Sequence, residues 1–267
     1  AVSGVDAIIH SAAMVKARSE EEIFLCNTQG TANLLAAAKA NAPGLRRFVH
    51  VSSLEAVGPS PDGRPLPKGS PRRPVTRYGR SKLAAEEAVE RVSGQLPTTI
   101  LRPGAIYGPR DVEITPAFKS IAQGVLPILG DGSTKGVYVY AEDCAKACIA
   151  ALSAEVPSGS AFAVDDGAVY TQREAMEIFE QAVGHKARVR FGLPSWVFDG
   201  VGLGVEAYGR LRDKPVMLTR EKIHMLRQHW VSSSEDTRAA LGWKPEVDLP
   251  EGARRTVAWM RAQRMIP

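Results

Sequence analysis

Short apolar runs that stop on small or hydroxylated residues, each followed by a helical stretch, fill the first hundred residues and leave few folds open. Val5-Asp6-Ala7-Ile8-Ile9-His10 runs into Ser11-Ala12-Ala13, and residues 46–53 read RRFVHVSS. Thr98-Thr99-Ile100-Leu101 stops at Pro103-Gly104. Runs this short and this continuously apolar are strands buried on both faces of a parallel sheet. Ser19 followed by Glu20-Glu21-Glu22 is a cap with an acidic first turn, opening a helix that reaches about Ala42. Residues 76–92 carry the next helix. Strand, helix, strand, helix, strand is the pattern of an α/β fold, a parallel sheet wound with helices.

Beyond Pro109 the pattern loosens. Helices are expected over 114–124, 141–153, 171–183 and 250–263, and strands near 136–140 and 161–165. The rest of the second half reads as mostly helical. Residues 58–74, rich in Gly, Pro and Arg, read as a surface loop.

Charge and cysteine usage narrow the partners. The net charge is +5, with no dense basic run behind it. The nearest cluster, Arg72-Arg73 with Arg77 and Arg80, is broken by Pro74, whereas a nucleic-acid footprint needs basic residues gathered on one face. Cys26, Cys144 and Cys148 form no CxxC, so neither a disulfide framework nor a metal site is expected. Cys144 and Cys148 read as small core residues. The most apolar later stretch, 194–211, contains Asp199 and Glu206, which makes a bilayer span costly. The opening AVSGVDAIIH is too short and wrongly flanked for a signal peptide. The expectation is a cytoplasmic protein with a small-molecule substrate and neither membrane nor nucleic-acid partner.

Chemistry concentrates in Tyr78-Gly79-Arg80-Ser81-Lys82, which puts Tyr78 and Lys82 at i and i+4 on one helix face. A phenol titrates near 10, and an ammonium a few ångström away favours the phenolate and should lower that value. A phenol so tuned can give a proton to a carbonyl or take one from an alcohol. Ser52 and Ser53 close an apolar strand about 25 residues earlier, at the end where a sheet presents groups to a ligand. A serine pair there also serves simply as turn or cap.

The strings DAIIHSAA, NTQGTANLLAAAKA, RRFVHVSSLEAVG, YGRSKLAAEE and TILRPGAIYGPRD follow one another at fixed spacing. In that order they resemble the extended short-chain dehydrogenase/reductase family, also called NAD-dependent epimerase/dehydratase-like. The likeness continues through ILGDGSTKGVYVYAEDCAKA to SSSEDTRAALGWKPEVDLPEGARRTVAWMR. It implies a Rossmann-like parallel sheet with a smaller, mainly helical C-terminal substrate domain. Residues 1–109, with the later strands near 136–140 and 161–165, would form a partial dinucleotide-binding domain, and 110–267 mainly the substrate domain. The resemblance makes Tyr78 the acid/base, Lys82 its partner and Ser53 the catalytic serine. It places NAD or NADP against Ser11, Ala12, Ala13, Asn27, Val51, Ser52, Tyr78, Lys82, Pro103, Gly104, Ala105 and Ile106, with Asn27 either contacting cofactor or structural. Ala12 and Ala13 are equally ordinary core residues. Relatives often dimerise through the two helices here at about 19–42 and 76–94, where Ala36, Ala37, Ala84, Ala85 and Ala88 would permit close approach.

The family's glycine-rich pyrophosphate turn has no counterpart in this sequence, so the natural protein is expected to be longer. Gly200-Val201-Gly202-Leu203-Gly204 follows no strand and reads as helix packing. The motifs sit closest to hydroxysteroid dehydrogenase-like and flavonol reductase-like members. The expected reaction therefore interconverts a secondary alcohol and a ketone on a small, rather apolar substrate. Trp196, Val197, Phe198 and Val201 would supply an apolar wall or plain core. Sugar-nucleotide epimerase or dehydratase is the alternative. Epimerases carry a phosphate-holding arginine where Lys135-Gly136-Val137-Tyr138 stands, and a dehydratase wants an acid beside the serine, which Glu55 could be. A non-catalytic cofactor binder is the remaining reading.

Overall fold

The computed structural model describes residues 2–193 and 220–267. Four parallel strands form its main sheet: β1 (Ala7–His10), β2 (Arg47–Val51), β3 (Thr98–Pro103) and β8 (Ser160–Val164), in the order β1-β2-β3-β8. The chain is thus a Rossmann-like α/β fold. The register aligns His10 with His50 and Val51 with Leu101, so the strands end together along one edge. A parallel sheet with aligned ends presents its site on that edge.

Helices cover both faces. α1 (Glu20–Phe24) and α2 (Gly30–Asn41) are joined through a π-helical stretch over Leu25–Gln29, so the helix expected to run from Ser19 to Ala42 is interrupted in its middle. α2 and α3 (Arg77–Val92) close one face, burying Leu35, Phe48, Val89 and Ile100 together. α5 (Ala141–Ser153) closes the other with α8 (Glu235–Leu241), setting Cys144, Ala147 and Cys148 against Val49 and Leu101. The three cysteines are free, and the pair on α5 is buried as core.

The strand expected at 136–140 does not join this sheet. β6 (Lys135–Gly136) pairs with β9 (Tyr170–Thr171), and β7 (Tyr138–Tyr140) pairs with β4 (Ala105–Tyr107). The exchange happens at Gly104: its N–H bonds the Val164 carbonyl, and the next N–H, of Ala105, bonds Val137. A Cβ at Gly104 would lie 2.7 Å from the Val137 carbonyl oxygen, so only glycine lets the two backbones pass. A third core, around Tyr107, Phe118, Phe179 and Met260, joins α4 (Thr115–Ala122), β5 (Val125–Leu129), α6 (Gln172–Val183) and α9 (Leu249–Ala262). β10 (Val189–Leu193) pairs with β5 in a region that reads as helical in the sequence. α7 (Arg220–Leu226) resumes the described chain. The stretch holding Trp196, Val197, Phe198 and Gly200 to Gly204 lies outside the described residues.

Three of the four arginines of the basic cluster seen in the sequence are paired within the chain. Arg72 bonds Glu86 and Glu90, Arg77 bonds Glu221, and Arg80 pairs with Glu20. Among the described residues no helix is long and apolar enough to cross a membrane, and no cluster of His, Cys, Asp and Glu could hold a metal ion.

His50, in the middle of β2, is fully buried and neither ring nitrogen has a hydrogen-bond partner. Burial, then the charges of Lys82 and His10, hold its pKa well below the usual 6.5. The unfolded chain therefore takes up a proton that the folded chain refuses. Stability should be intact above about pH 6.5 and decline as pH falls below it, by at most about 1.4 kcal/mol per pH unit for one proton. Urea midpoints at about pH 7.5 and 5.5 should differ clearly for the natural sequence and less for His50→Leu; equal differences would remove His50 from the acid sensitivity.

Candidate active site

The site forms where the N-terminus of α3 meets the turn after β2. Thr76 caps α3: its Oγ1 accepts from Gly79 N–H at 2.9 Å and donates to Glu55 Oε2 at 2.6 Å. Ser53 caps the single turn Leu54–Ala56 by accepting from Glu55 N–H at 3.1 Å. The two capped turns press together at Gly79, where a Cβ would come within 2.5 Å of the Glu55 carbonyl oxygen. The glycine between Tyr78 and Arg80 is thus the contact surface on which the site closes.

That seating directs two side chains of α3 into one strand end. Tyr78 lies close enough to the Ser53 hydroxyl for that hydroxyl to act on its titration. Lys82, only 1% exposed, donates from Nζ to the Val51 carbonyl at 2.7 Å. Val51 and Ser53 are two residues apart, roughly 7 Å along the chain. The structure therefore brings Ser53, Tyr78 and Lys82 into one place.

Their electrostatics differ from the sequence expectation. The Tyr78 phenol is pushed up from 10, not down, first by burial and then by the Glu55 carboxylate; the Ser53 hydroxyl pulls the other way. Lys82 instead carries the perturbation itself. Burial lowers its ammonium from 10.5 to about 8, against the opposing pull of Glu86 and Cys26. The physical reason is that removing each group from water outweighs what a neighbouring charge returns to it. His10 and His50 lie beside this ammonium, and both are shifted toward the neutral form.

The remaining sequence-predicted residues divide. Ser11, Ala12 and Ala13 are exposed beyond β1, and Ala105 and Ile106 are exposed beyond β3, so small or apolar groups line the open edge. Pro103 is buried and Gly104 is committed to the backbone crossing. Ser52 is 5% exposed and its Oγ has no partner. Asn27 is structural: Oδ1 accepts from Met14 N–H at 2.6 Å, while Nδ2 donates to Met14 O and Ser81 Oγ, both at 2.9 Å. Those three bonds pin the loop after β1 to α3. It does so from the π-helical turn, a distortion frequent at functional sites. Thr31 bonds the Asn27 carbonyl and His10 in turn.

Apart from Glu55, sequence reasoning missed the charged lining. Val15, Lys16, Glu55, Arg77, Tyr78, Glu113, Glu221 and Lys222 share one cavity. Lys16 reaches Glu113 at 2.6 Å, Lys222 reaches it at 3.3 Å, and Arg77 bonds Glu221 at 2.8 Å. The lining comes from five separate parts of the chain, with no shared motif to announce it. Lys135, by contrast, is absent from that lining; its stem lies where a Cβ on Gly63 would touch it, beside His229.

The cofactor test can be made on these residues. Lys82 uses one of its three donors on Val51, leaving two for ribose hydroxyls, and the exposed edge of small residues permits a flat ring to approach. The residues present fit the nicotinamide-ribose part of a dinucleotide.

Residues 1–164 match the model of the NAD dependent epimerase/dehydratase family. The chain belongs to that family, within the extended short-chain dehydrogenase/reductases. It is 30% identical over 278 residues to the 2-alkyl-3-oxoalkanoate reductase of Stenotrophomonas maltophilia, covering 97% of this chain and 81% of that protein. It is 32% identical to the ceramide reductase of Caulobacter vibrioides, covering 99% and 77%. Its fold matches a mutant UDP-glucuronic acid 4-epimerase from Bacillus cereus, crystallised with a UDP-sugar analogue and NAD, at a TM-score of 0.76, 20% identity and coverage of 98% and 77%.

Replacing Gly79 with Ala should force α3 away from the Glu55 carbonyl. The expected cost is about 1–3 kcal/mol of stability, with separation of Tyr78 from Ser53. A lowered urea midpoint with reduced turnover is the outcome to look for; an unchanged midpoint would mean the close contact is not required.

Proposed function

We propose that this protein is an NAD(P)-dependent oxidoreductase that interconverts a secondary alcohol and a ketone, with Tyr78 as acid/base, Ser53 orienting the reacting oxygen and Lys82 holding ribose. The observation that carries the reading is the convergence of the Tyr78 phenol and the Lys82 ammonium on the end of β2, beside Ser53. The two reductases at 30% and 32% identity support it over the epimerase reading. In this reading residues 1–109 with β8 hold the cofactor, and 110–267 mainly shape the substrate side.

A nicotinamide whose ribose Lys82 would hold would supply or accept the hydride. Ser53 and Tyr78 hydrogen-bond the carbonyl oxygen, and the phenol delivers the proton as the oxygen becomes an alkoxide. A phenol with a raised pKa is a reluctant base and a competent acid, which suits proton delivery to a ketone better than proton removal from an alcohol. Six charged side chains around Tyr78 make the reacting end of the substrate polar, a revision of the apolar substrate expected from sequence.

A homodimer through α2 and α3 belongs to the proposal, with Ala36, Ala37 and Ala84 as the outward small residues; Ala85 and Ala88 are already buried within the chain. Free cysteines are in keeping with a cytoplasmic location.

Tyr78→Phe should abolish hydride transfer, by at least about 100-fold, with cofactor affinity mostly kept. Unchanged turnover would remove Tyr78 from the chemistry, and conversion of a nucleotide sugar without net change in nicotinamide absorbance would favour epimerisation. Lys82 loses its proton as pH rises through about 8. Ketone reduction by the natural sequence should therefore decline above that pH, as read from kcat/KM; a flat profile through pH 10 would separate the reaction from the lysine's charge.

A further inference from the structure

Glu55 is the charged group nearest the reacting pair that the mechanism leaves unused. It stands two residues after Ser53, lines the same cavity as Tyr78 and acts directly on the phenol's titration. One carboxylate oxygen, Oε2, accepts from Thr76 Oγ1. Among the described residues no donor meets Oε1, and that atom is not sealed in the core. The other carboxylates of the lining are answered: Glu113 by Lys16 and Lys222, Glu221 by Arg77. Of the three carboxylates that line the cavity, Glu55 alone has no salt bridge among the described residues.

Glu55 as a residue is half-buried. Burial raises the Glu55 carboxyl above the usual range, with Glu221 and Glu113 adding to the rise, while the Thr76 hydrogen bond and Lys222 offset part of it. An ionised carboxylate with an unmet oxygen in such a place is stabilised by any donor brought to it. Ser53 and Tyr78 take the carbonyl oxygen of the substrate. Because Glu55 lines the same cavity as Tyr78 and acts on its phenol, a donor carried close to the reacting carbon is the group it can meet.

We propose that Glu55 is a specificity-determining residue that selects ketones carrying a hydrogen-bond donor, a hydroxyl or an amide N–H, next to the reacting carbon. This rests on the alcohol/ketone reading above and narrows its substrate class. The carboxylate accepts the donor through Oε1, and Thr76 holds the carboxylate in place through Oε2. The binding involves no covalent step. A substrate with an ether or a bare methylene at that position leaves the carboxylate unmet.

The bland role for Glu55 is to brace Thr76 at the start of α3. Glu55→Gln separates the two. Its amide oxygen still accepts from Thr76, while its NH2 replaces the acceptor facing the cavity with a donor. The experiment measures kcat/KM for three matched ketones: one with a free hydroxyl on the carbon beside the carbonyl, its O-methyl ether, and the unsubstituted ketone. The natural sequence should prefer the hydroxy ketone by at least about 10-fold over both others. Glu55→Gln, with an unchanged thermal midpoint, should lose that preference or turn it toward the ether. Glu55→Ala should lose the preference without gaining the ether. An equal ratio among the three ketones in the natural sequence, or the same preference in all three proteins, overturns the proposal. Reduction of none of the three, with cofactor bound, overturns the oxidoreductase reading on which it rests, and is distinguishable because no ratio can then be measured.

Discussion

The contact between Gly79 and the Glu55 carbonyl governs the geometry of everything around it. An α-helix turns about 100° per residue, so the direction of Tyr78 depends on where the first turn of α3 is seated. Thr76 sets that seat from both sides, capping Gly79 N–H and binding the Glu55 carboxylate. Once the turn is fixed, Tyr78 reaches Ser53, and Lys82, one turn later, reaches the Val51 carbonyl. Four residues further on, Glu86 is fully buried and held by Arg72 and Arg102. A single helix is thereby anchored at its start by caps, in its middle by an ammonium, and behind by an ion-pair network.

Burial is the second organising force, and it acts on polar groups as strongly as on apolar ones. Water is excluded from Lys82 and His50 and reduced around the half-buried Tyr78, and each is driven toward its neutral form. Such groups cost stability wherever they lack partners, as both nitrogens of His50 and the hydroxyl of Ser52 do. Their concentration behind the strand ends is typical of functional sites, where perturbed titration serves chemistry. Asn27 contributes to the same arrangement indirectly. Its amide ties the loop after β1 to Ser81, and so keeps the exposed small residues of that loop in line with the ends of β2 and β3.

The lining of the cavity is charged yet nearly self-compensated. Lys16, Glu113 and Lys222 form one chain of ion pairs, and Arg77 with Glu221 another. They bind segments distant in sequence across the mouth of the site. Partly exposed pairs of this kind contribute little to stability by themselves. Their effect is on what can enter: an apolar surface meets unfavourable desolvation there, and a polar one exchanges hydrogen bonds.

Local pattern determined the β1, β2, β3 and β8 strands, the helices that cover them, and the placing of Tyr78 and Lys82 on one helix face, because periodicity and caps are written in neighbouring residues. The membership of β7 in a separate sheet was not legible, since it depends on a backbone crossing between Gly104 and Val137, 33 positions apart. The same holds for the side-chain field. That a phenol would be raised and not lowered, that Asn27 would bond Met14 and Ser81, and that Lys16, Glu113 and Lys222 would meet beside Tyr78 follow from burial and proximity. These arise only when remote segments pack, and no spacing within the chain encodes the distance between them.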